Sequence, residues 1–453
     1  MKLIGIVWNP GIPYIKDIKT IIEKYGYVKE MVYINFGSEF PAFLNELYYD
    51  KTPGEEIKAS QKIVSLVNRY SQNDGYIILI EISESEQVYL AAKEKYMYKN
   101  VLEMKMELRT KYSFTLNTPL CVEKKFDNIF HCSDDIEEYH FDLPIILKYI
   151  LKDCNRMFNI SSFIDTEKKQ TNGTRYNFWI TDDLFFKQET PNSFESFSEI
   201  FNMNYMQIMD IPTAEYKIAY DHNNRGVFTT RINAVDENLI LLSDIMYEYG
   251  IISKKSMIEN NYISRIICLL GSYCDKYKYH LANNTRNILL KIYLYDLLFA
   301  QNDRNPTNIG LKVNKKTGFS ELICFDHSNM LFFDNPDKIK KYANSNGCFL
   351  DLVNKSTKTF LLYNQKEFPL CFESKIMHIA FFLDNATESD KMVLYDLLNL
   401  YSVKLINYVF MKIEKKDNCI IDDTFKSAIF EYYEKIKGIL GEQNEVFSNH
   451  TYL

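Results

Sequence analysis

One stretch of the chain leaves few ways to fold it. The apolar run Leu298-Phe299-Ala300 breaks into Gln301-Asn302-Asp303-Arg304-Asn305-Pro306-Thr307-Asn308 and resumes at once as Ile309-Gly310-Leu311. An apolar helix end that runs through a polar loop straight into a strand holds that loop at both ends. Asp303 and Asn308 can then face one cavity in a fixed geometry. The chain goes on to Glu321-Leu322-Ile323-Cys324-Phe325-Asp326-His327-Ser328-Asn329. A turn at residues 315–318 makes the two apolar runs a strand pair and returns Asp326 beside Asn308. A carboxylate leaving an apolar strand is costly to bury unless it is paired or bound to a metal, so Asp326 is a metal-ligand candidate. The competing interpretation is that Asp303, Asn308 and Asp326 only cap turns and helices.

With 453 residues, the chain is long enough for two or three packed units. Hydrophobic residues make up 46% and charged residues 25%, the balance of an ordinary globular protein. The 34 Tyr and 31 Phe are spread through the chain, as in aromatic-rich cores. A stacking platform for nucleic acid needs a basic groove beside its rings; 53 Lys plus Arg against 60 Asp plus Glu gives a net charge of -7 and no strong signal of that kind. Nine Cys without a Cys-x-x-Cys pair point to reduced, buried thiols and a cytoplasmic protein. No apolar run approaches the length of a membrane span.

Two plans follow one another along the sequence. Residues 1–155 alternate strand-like runs (3–7, 31–36, 76–82, 128–131) with helical ones (14–25, 40–47, 55–70, 88–108, 136–151). This predicts an α/β domain with a mostly parallel sheet. It has no Gly-x-Gly-x-x-Gly or P-loop fingerprint, so no nucleotide site is placed there. Ser133-Asp134-Asp135, between a strand and a helix, is a capping segment or the rim of a pocket. After a polar tract at residues 165–172 the pattern changes. Residues 165–235 form a β-rich lobe, with strands at 176–180, 184–187, 213–219 and 226–232 around a helix at 193–209. Residues 236–453 form a helical lobe with the strand pair at 310–325 and helices at 374–383, 388–413 and 422–440. A small β-rich lobe before a larger helical one is the plan of a two-lobed kinase.

Phosphoryl transfer requires neutralised phosphates, one or two divalent cations and a group that orients the attacking hydroxyl. Asp303, Asn308 and Asp326 meet the second and third needs. Their spacing, an Asp, two residues, often a Pro, one residue and an Asn, resembles the catalytic loop of protein-kinase-like enzymes. It is most similar to the HipA-like kinases, with a secondary likeness to phosphoinositide 4-kinase-type enzymes, and covers about residues 165–453. The resemblance implies ATP and Mg²⁺ as cofactors, Asp303 as the residue that positions the acceptor, and Asn308 and Asp326 as metal ligands. It also implies a strand lysine over the phosphates, Lys187, fixed by a helix glutamate, Glu199, with Glu195 one turn earlier as the rival. The nucleotide-covering loop falls at residues 170–176, where Gly173, Thr174 and Arg175 would meet phosphate oxygens. Asn305 and Thr307 stand where such enzymes carry cationic side chains, with Arg304 as a replacement, and His327-Ser328 stand in place of Phe-Gly.

The function implied is an ATP- and Mg²⁺-dependent serine/threonine protein kinase. Two other classes stay open: a pseudokinase or nucleotide-dependent binding module, and a small-molecule or lipid kinase or nucleotidyltransferase on the same fold. A protein substrate is expected, a small-molecule acceptor is possible, and the N-terminal domain is a place for a regulatory partner or for homo-oligomer formation.

Overall fold

The computed structural model describes residues 1–48, 63, 67, 73–83, 86–90, 95–112, 129–153, 158–161, 169–170, 177–181, 184–234, 236–343, 360–365, 375–417 and 419–442. The chain divides into two compact units. The first comprises residues 1–171 with 178–185 and 220–222; the second comprises 172–177, 186–219 and 223–453.

The first unit is built on Asp74–Ile82, whose sequence DGYIILIEI is apolar on both faces and buried almost throughout. A strand covered on both sides needs such a run. On one face Ile78, Ile80 and Ile82 join a core with Ile18, Ile21 and Ile22 from helix Ile15–Ile22 and Val101, Met104 and Leu108 from helix Lys99–Tyr112. The sheet runs in the order Gly26–Asn35, Asp74–Ile82, Lys2–Trp8, Phe130–Cys132. Every neighbouring pair is antiparallel. The mostly parallel sheet expected from the sequence is therefore wrong. Lys2–Trp8 and Gly26–Asn35 do run the same way on either side of a helix, but Asp74–Ile82 inserts between them and opposes both.

Another expectation fails at residues 88–108, where one long helix was anticipated. The segment instead holds a strand pair, Gln87–Leu90 with Lys95–Tyr98, and then the helix Lys99–Tyr112. Tyr89 and Tyr96 face each other across the pair with ring centroids 5.1 Å apart, an aromatic cross-strand contact that favours the hairpin. The helix expected at 55–70 lies outside the described residues except for two isolated positions.

The second unit begins β-rich and becomes helix-rich. Strand Asn224–Thr230 lies between Tyr216–Asp221 and Leu184–Gln188. A Cβ at Gly226 would stand 2.4 Å from the Lys187 carbonyl oxygen, so the closeness of these strands requires glycine there. A second sheet has the order Glu237–Leu241, Ile309–Asn314, Phe319–Cys324, His280–Leu281. Its central hairpin closes at Gly318, with φ +70°, where the Asn314 side chain accepts from the amides of Lys316 and Thr317 at 3.0 Å each. Helices Thr285–Leu298, Lys375–Asn385, Glu388–Leu400, Val403–Asp417 and Asp423–Glu442 make up much of the rest. The single helix expected at 388–413 is two, because the Ser402 hydroxyl accepts from the Leu405 amide and starts a new one.

Candidate functional site

Strand alternation sets the first component of the site. Leu184 and Phe186 are fully buried on one face of Leu184–Gln188, which sends Lys187 to the other. Helix Glu195–Ile208 supplies the second component. Its residues from Glu195 through Met206 are all buried, so neighbouring structure fixes it on every side.

Lys187 Nζ lies 2.7 Å from Glu199 Oε1, 2.5 Å from Asp326 Oδ1 and 3.1 Å from Ser328 Oγ. Three acceptors use the three ammonium protons. Glu195 instead accepts from the Thr190 amide at 2.7 Å and braces the turn before the helix. Burial opposes the charge on Lys187, but Glu199 and Asp326 outweigh it and raise its pKa. Burial likewise opposes ionisation of Asp326, and Lys187 and Ser328 overcome it, holding the carboxyl well below its usual range. For Glu199, burial prevails over the pull of Lys187 and lifts the carboxyl.

Asp326 is reached through the hairpin. Ile309 pairs with Cys324, and one step outward the Phe325 amide donates to the Asn308 carbonyl at 3.1 Å. Asp326 then turns into the left-handed region, φ +56°, and its amide donates to the Tyr216 hydroxyl at 2.9 Å. A non-glycine residue there costs on the order of 1 kcal/mol and persists where its surroundings over-determine it. His327 provides that restraint. Its amide donates to Glu199 Oε2 at 2.6 Å, and its carbonyl accepts from Ser198 Oγ at 2.7 Å and Asn202 Nδ2 at 3.2 Å. The fully buried ring has Nε2 2.6 Å from Thr213 Oγ1 and Nδ1 3.0 Å from Arg304. Burial and the adjacent Arg304 push its pKa well below the usual value, so the ring is neutral.

The loop is held from within. Asn305 Oδ1 accepts from the Thr307 amide at 2.9 Å, starting the turn Pro306–Asn308. Asn308 Nδ2 donates to the Asp303 carbonyl at 2.7 Å, and Asn305 Nδ2 reaches Asp303 Oδ1 at 3.2 Å. Asp303 is exposed. Arg304 is not available to a phosphate: it is buried, bonds Asp296 at 3.2–3.3 Å and donates to the Phe325 carbonyl at 3.2 Å. Sequence reasoning missed Asp296, although an Asp inside the apolar run Leu294-Tyr295-Asp296-Leu297 signals a buried partner. Ser328, Tyr216 and Thr213 were missed as well; their roles arise only from the tertiary arrangement.

Lys187, Glu199 and Asp326 are thus brought together by direct bonds, and Asn308 and Asp303 are tied into the loop that abuts Phe325. Gly173, Thr174 and Arg175 lie outside the described residues. A magnesium ion fits the donor set. The side-chain contacts of Asp326 with Lys187 and Ser328 both go to Oδ1 and its side chain is 39% exposed, while the amide oxygen of buried Asn308 accepts from Thr307 Oγ1 at 3.3 Å. Among the described residues no group of three or more His, Cys, Asp or Glu gathers as a metal cluster.

No family model matches the chain, and no curated protein matches it. Among solved structures it is similar to the Helicobacter pylori proinflammatory kinase CtkA, at 12% identity over 62% of this chain and 94% of that one, with a TM-score of 0.45. It is also similar to HipA from the Shewanella oneidensis MR-1 toxin–antitoxin system in complex with HipB and operator DNA, at 8% identity over 65% of this chain and 70% of that one, with a TM-score of 0.35. At these values neither likeness assigns the chain an activity. No helix among the described residues is long and apolar enough to cross a membrane.

Proposed function

We propose that the second unit is an ATP- and Mg²⁺-dependent phosphotransferase, a HipA-like serine/threonine protein kinase acting in the cytoplasm. The observation that carries this reading is Lys187 Nζ bridging Glu199 and Asp326 within 2.7 Å. That arrangement unites a phosphate-binding lysine, the glutamate that orients it and a metal-facing carboxylate.

In this reading Glu199 holds Lys187 toward the α- and β-phosphates, and Lys187 would keep its bond to Glu199 while exchanging those to Asp326 and Ser328 for phosphate oxygens. Asp326 and Asn308 would hold Mg²⁺, which would supply charge neutralisation to the phosphates. Asp303 aligns the acceptor hydroxyl and takes its proton as the oxygen attacks the γ-phosphorus; the bond to the bridging oxygen breaks and ADP leaves. Gly173, Thr174 and Arg175 belong to the loop that would cover the phosphates. Asn305 and Thr307 supply no positive charge to the transferring group, and Arg304 is engaged with Asp296. The first unit is the place for a regulatory partner or a second copy, and a protein is the favoured acceptor.

Incubation of the protein with ATP labelled at the γ- or the α-phosphate distinguishes the alternatives. Label from the γ-position on protein supports the kinase. Label only on a lipid or metabolite moves the acceptor to a small molecule. Label from the α-position alone indicates nucleotidyl transfer, and nucleotide binding without either label indicates a binding module.

A further inference from the structure

His327 occupies the position where a kinase of the ordinary plan has the Phe after its metal-binding Asp, and here nothing about it is apolar in function. Arginine has no acceptor, so Arg304, 3.0 Å from Nδ1, must donate to it. The ring proton then sits on Nε2 and is donated to Thr213 Oγ1, 2.6 Å away. Arg304 is the neighbour of Asp303 in the loop, and the same guanidinium holds the carbonyl of Phe325, the residue before Asp326. The His327 backbone is gripped by Ser198, Glu199 and Asn202 of the helix that fixes Lys187. Asn202 is in turn fixed by the Tyr295 hydroxyl at 2.7 Å, from the helix that carries Asp296. One residue, through its ring and its backbone, therefore joins three parts of the site.

We infer that His327 is a positioning residue: by accepting from Arg304 and donating to Thr213 it fixes the left-handed turn at Asp326 and so aims the metal-facing carboxylate. This inference rests on the phosphotransferase reading of the site. A phenylalanine in this place would leave Arg304 and Thr213 without their ring partner. The Asp326 turn, which is unfavourable by itself, would lose its restraint from the loop side.

The variants His327→Asn, His327→Gln and His327→Phe separate the two bonds. Asparagine keeps an acceptor where Nδ1 lies; glutamine reaches only the Nε2 position. A fluorescent ATP analogue is titrated into each full-length protein in EDTA and over a range of Mg²⁺ concentrations, with melting temperature recorded alongside. The Mg²⁺ concentration giving half of the metal-dependent gain in affinity is expected to rise about 10-fold or more in the Gln and Phe variants, with binding in EDTA unchanged. The Asn variant is expected to stay within about 3-fold of the parent. Equal behaviour of Asn and Gln would overturn the inference, even if the Phe variant fails to fold. An equal loss with and without Mg²⁺ would also overturn it, by making the role structural. A parent protein whose binding ignores Mg²⁺, or is matched by Asp326→Asn, would overturn the phosphotransferase reading itself.

Discussion

Each unit holds a lysine tied to several carboxylates at a junction of strand and helix, yet the two nodes differ in kind. In the first unit Lys105 pairs with buried Asp134, while Lys95 reaches Asp134 at 3.1 Å, Asp135 at 2.9 Å and Glu138 at 3.3 Å. These carboxylates also have local work: Asp135 accepts from the Glu138 amide at 2.8 Å, and Glu138 from the Asp134 amide at 2.7 Å, a reciprocal arrangement that starts helix Ile136–Asp153. Asp134 and Asp135 are absent from the left-handed residues, whereas Asp326 is among them. The Asp326 side chain is 39% exposed against 3% for Asp134. A lysine–carboxylate ion pair does not by itself distinguish the two nodes. The left-handed turn and the greater exposure of Asp326 do.

The largest effect is expected in the second node. Asp303→Asn should lower turnover about 10³-fold while nucleotide affinity changes less than about 3-fold, because in the proposed function the residue meets the acceptor and not the phosphates. Steady-state kinetics beside a binding titration checks this. The first node should respond in stability alone. Lys105→Met removes the ammonium paired with buried Asp134 and should cost about 3 kcal/mol in a denaturant titration, with turnover per folded molecule unchanged. Activity lost in proportion to Asp303→Asn would erase the distinction between the nodes. Lys187→Met comes next, with turnover down about 10²-fold and weaker nucleotide binding.

The smallest effect concerns an ion pair away from both nodes. Arg286 bonds Asp390 through two nitrogens, at 2.6 and 2.7 Å, and Arg286, Tyr363 and Thr387 together hold the Asp390 carboxyl below its usual value. A depressed folded-state pKa contributes stability that is fully present above the unfolded value near 3.8 and disappears as pH falls through the folded value. Asp390→Asn should therefore lower the melting temperature by a few degrees, about 2–4 °C, at pH 7. The gap should narrow as pH falls below 3.8, a trend that melting curves over the acid range would reveal.

The site was more legible than the sheet of the first unit, for a physical reason. Lys187 and Glu199 lie on a strand and a helix, and Asp326 just past the end of a strand, elements whose apolar pattern shows in the sequence, and the structure brings these three side chains together. Strand neighbours in the first unit depend on where Asp74–Ile82 inserts, a choice made by packing between segments far apart in sequence. Arg304 illustrates the same limit. Beside Asp303 in the sequence it could have faced a phosphate, and only Asp296, eight residues earlier on a buried helix, turns it inward. The hairpin at Gln87–Leu90 and Lys95–Tyr98 was read as helix because its apolar residues also recur at helical intervals; the cross-strand tyrosine pair resolves the ambiguity.

The most direct test of the account compares the parent protein with Asp326→Ala in Mg-ATP, following ATP consumption and covalent modification by intact mass. Asp326 is bonded to Lys187 and is, in the proposed function, a ligand of Mg²⁺. Phosphorylated product in the parent and none in the variant, with both proteins folded, is the result predicted. Equal ATP consumption by the two would contradict it.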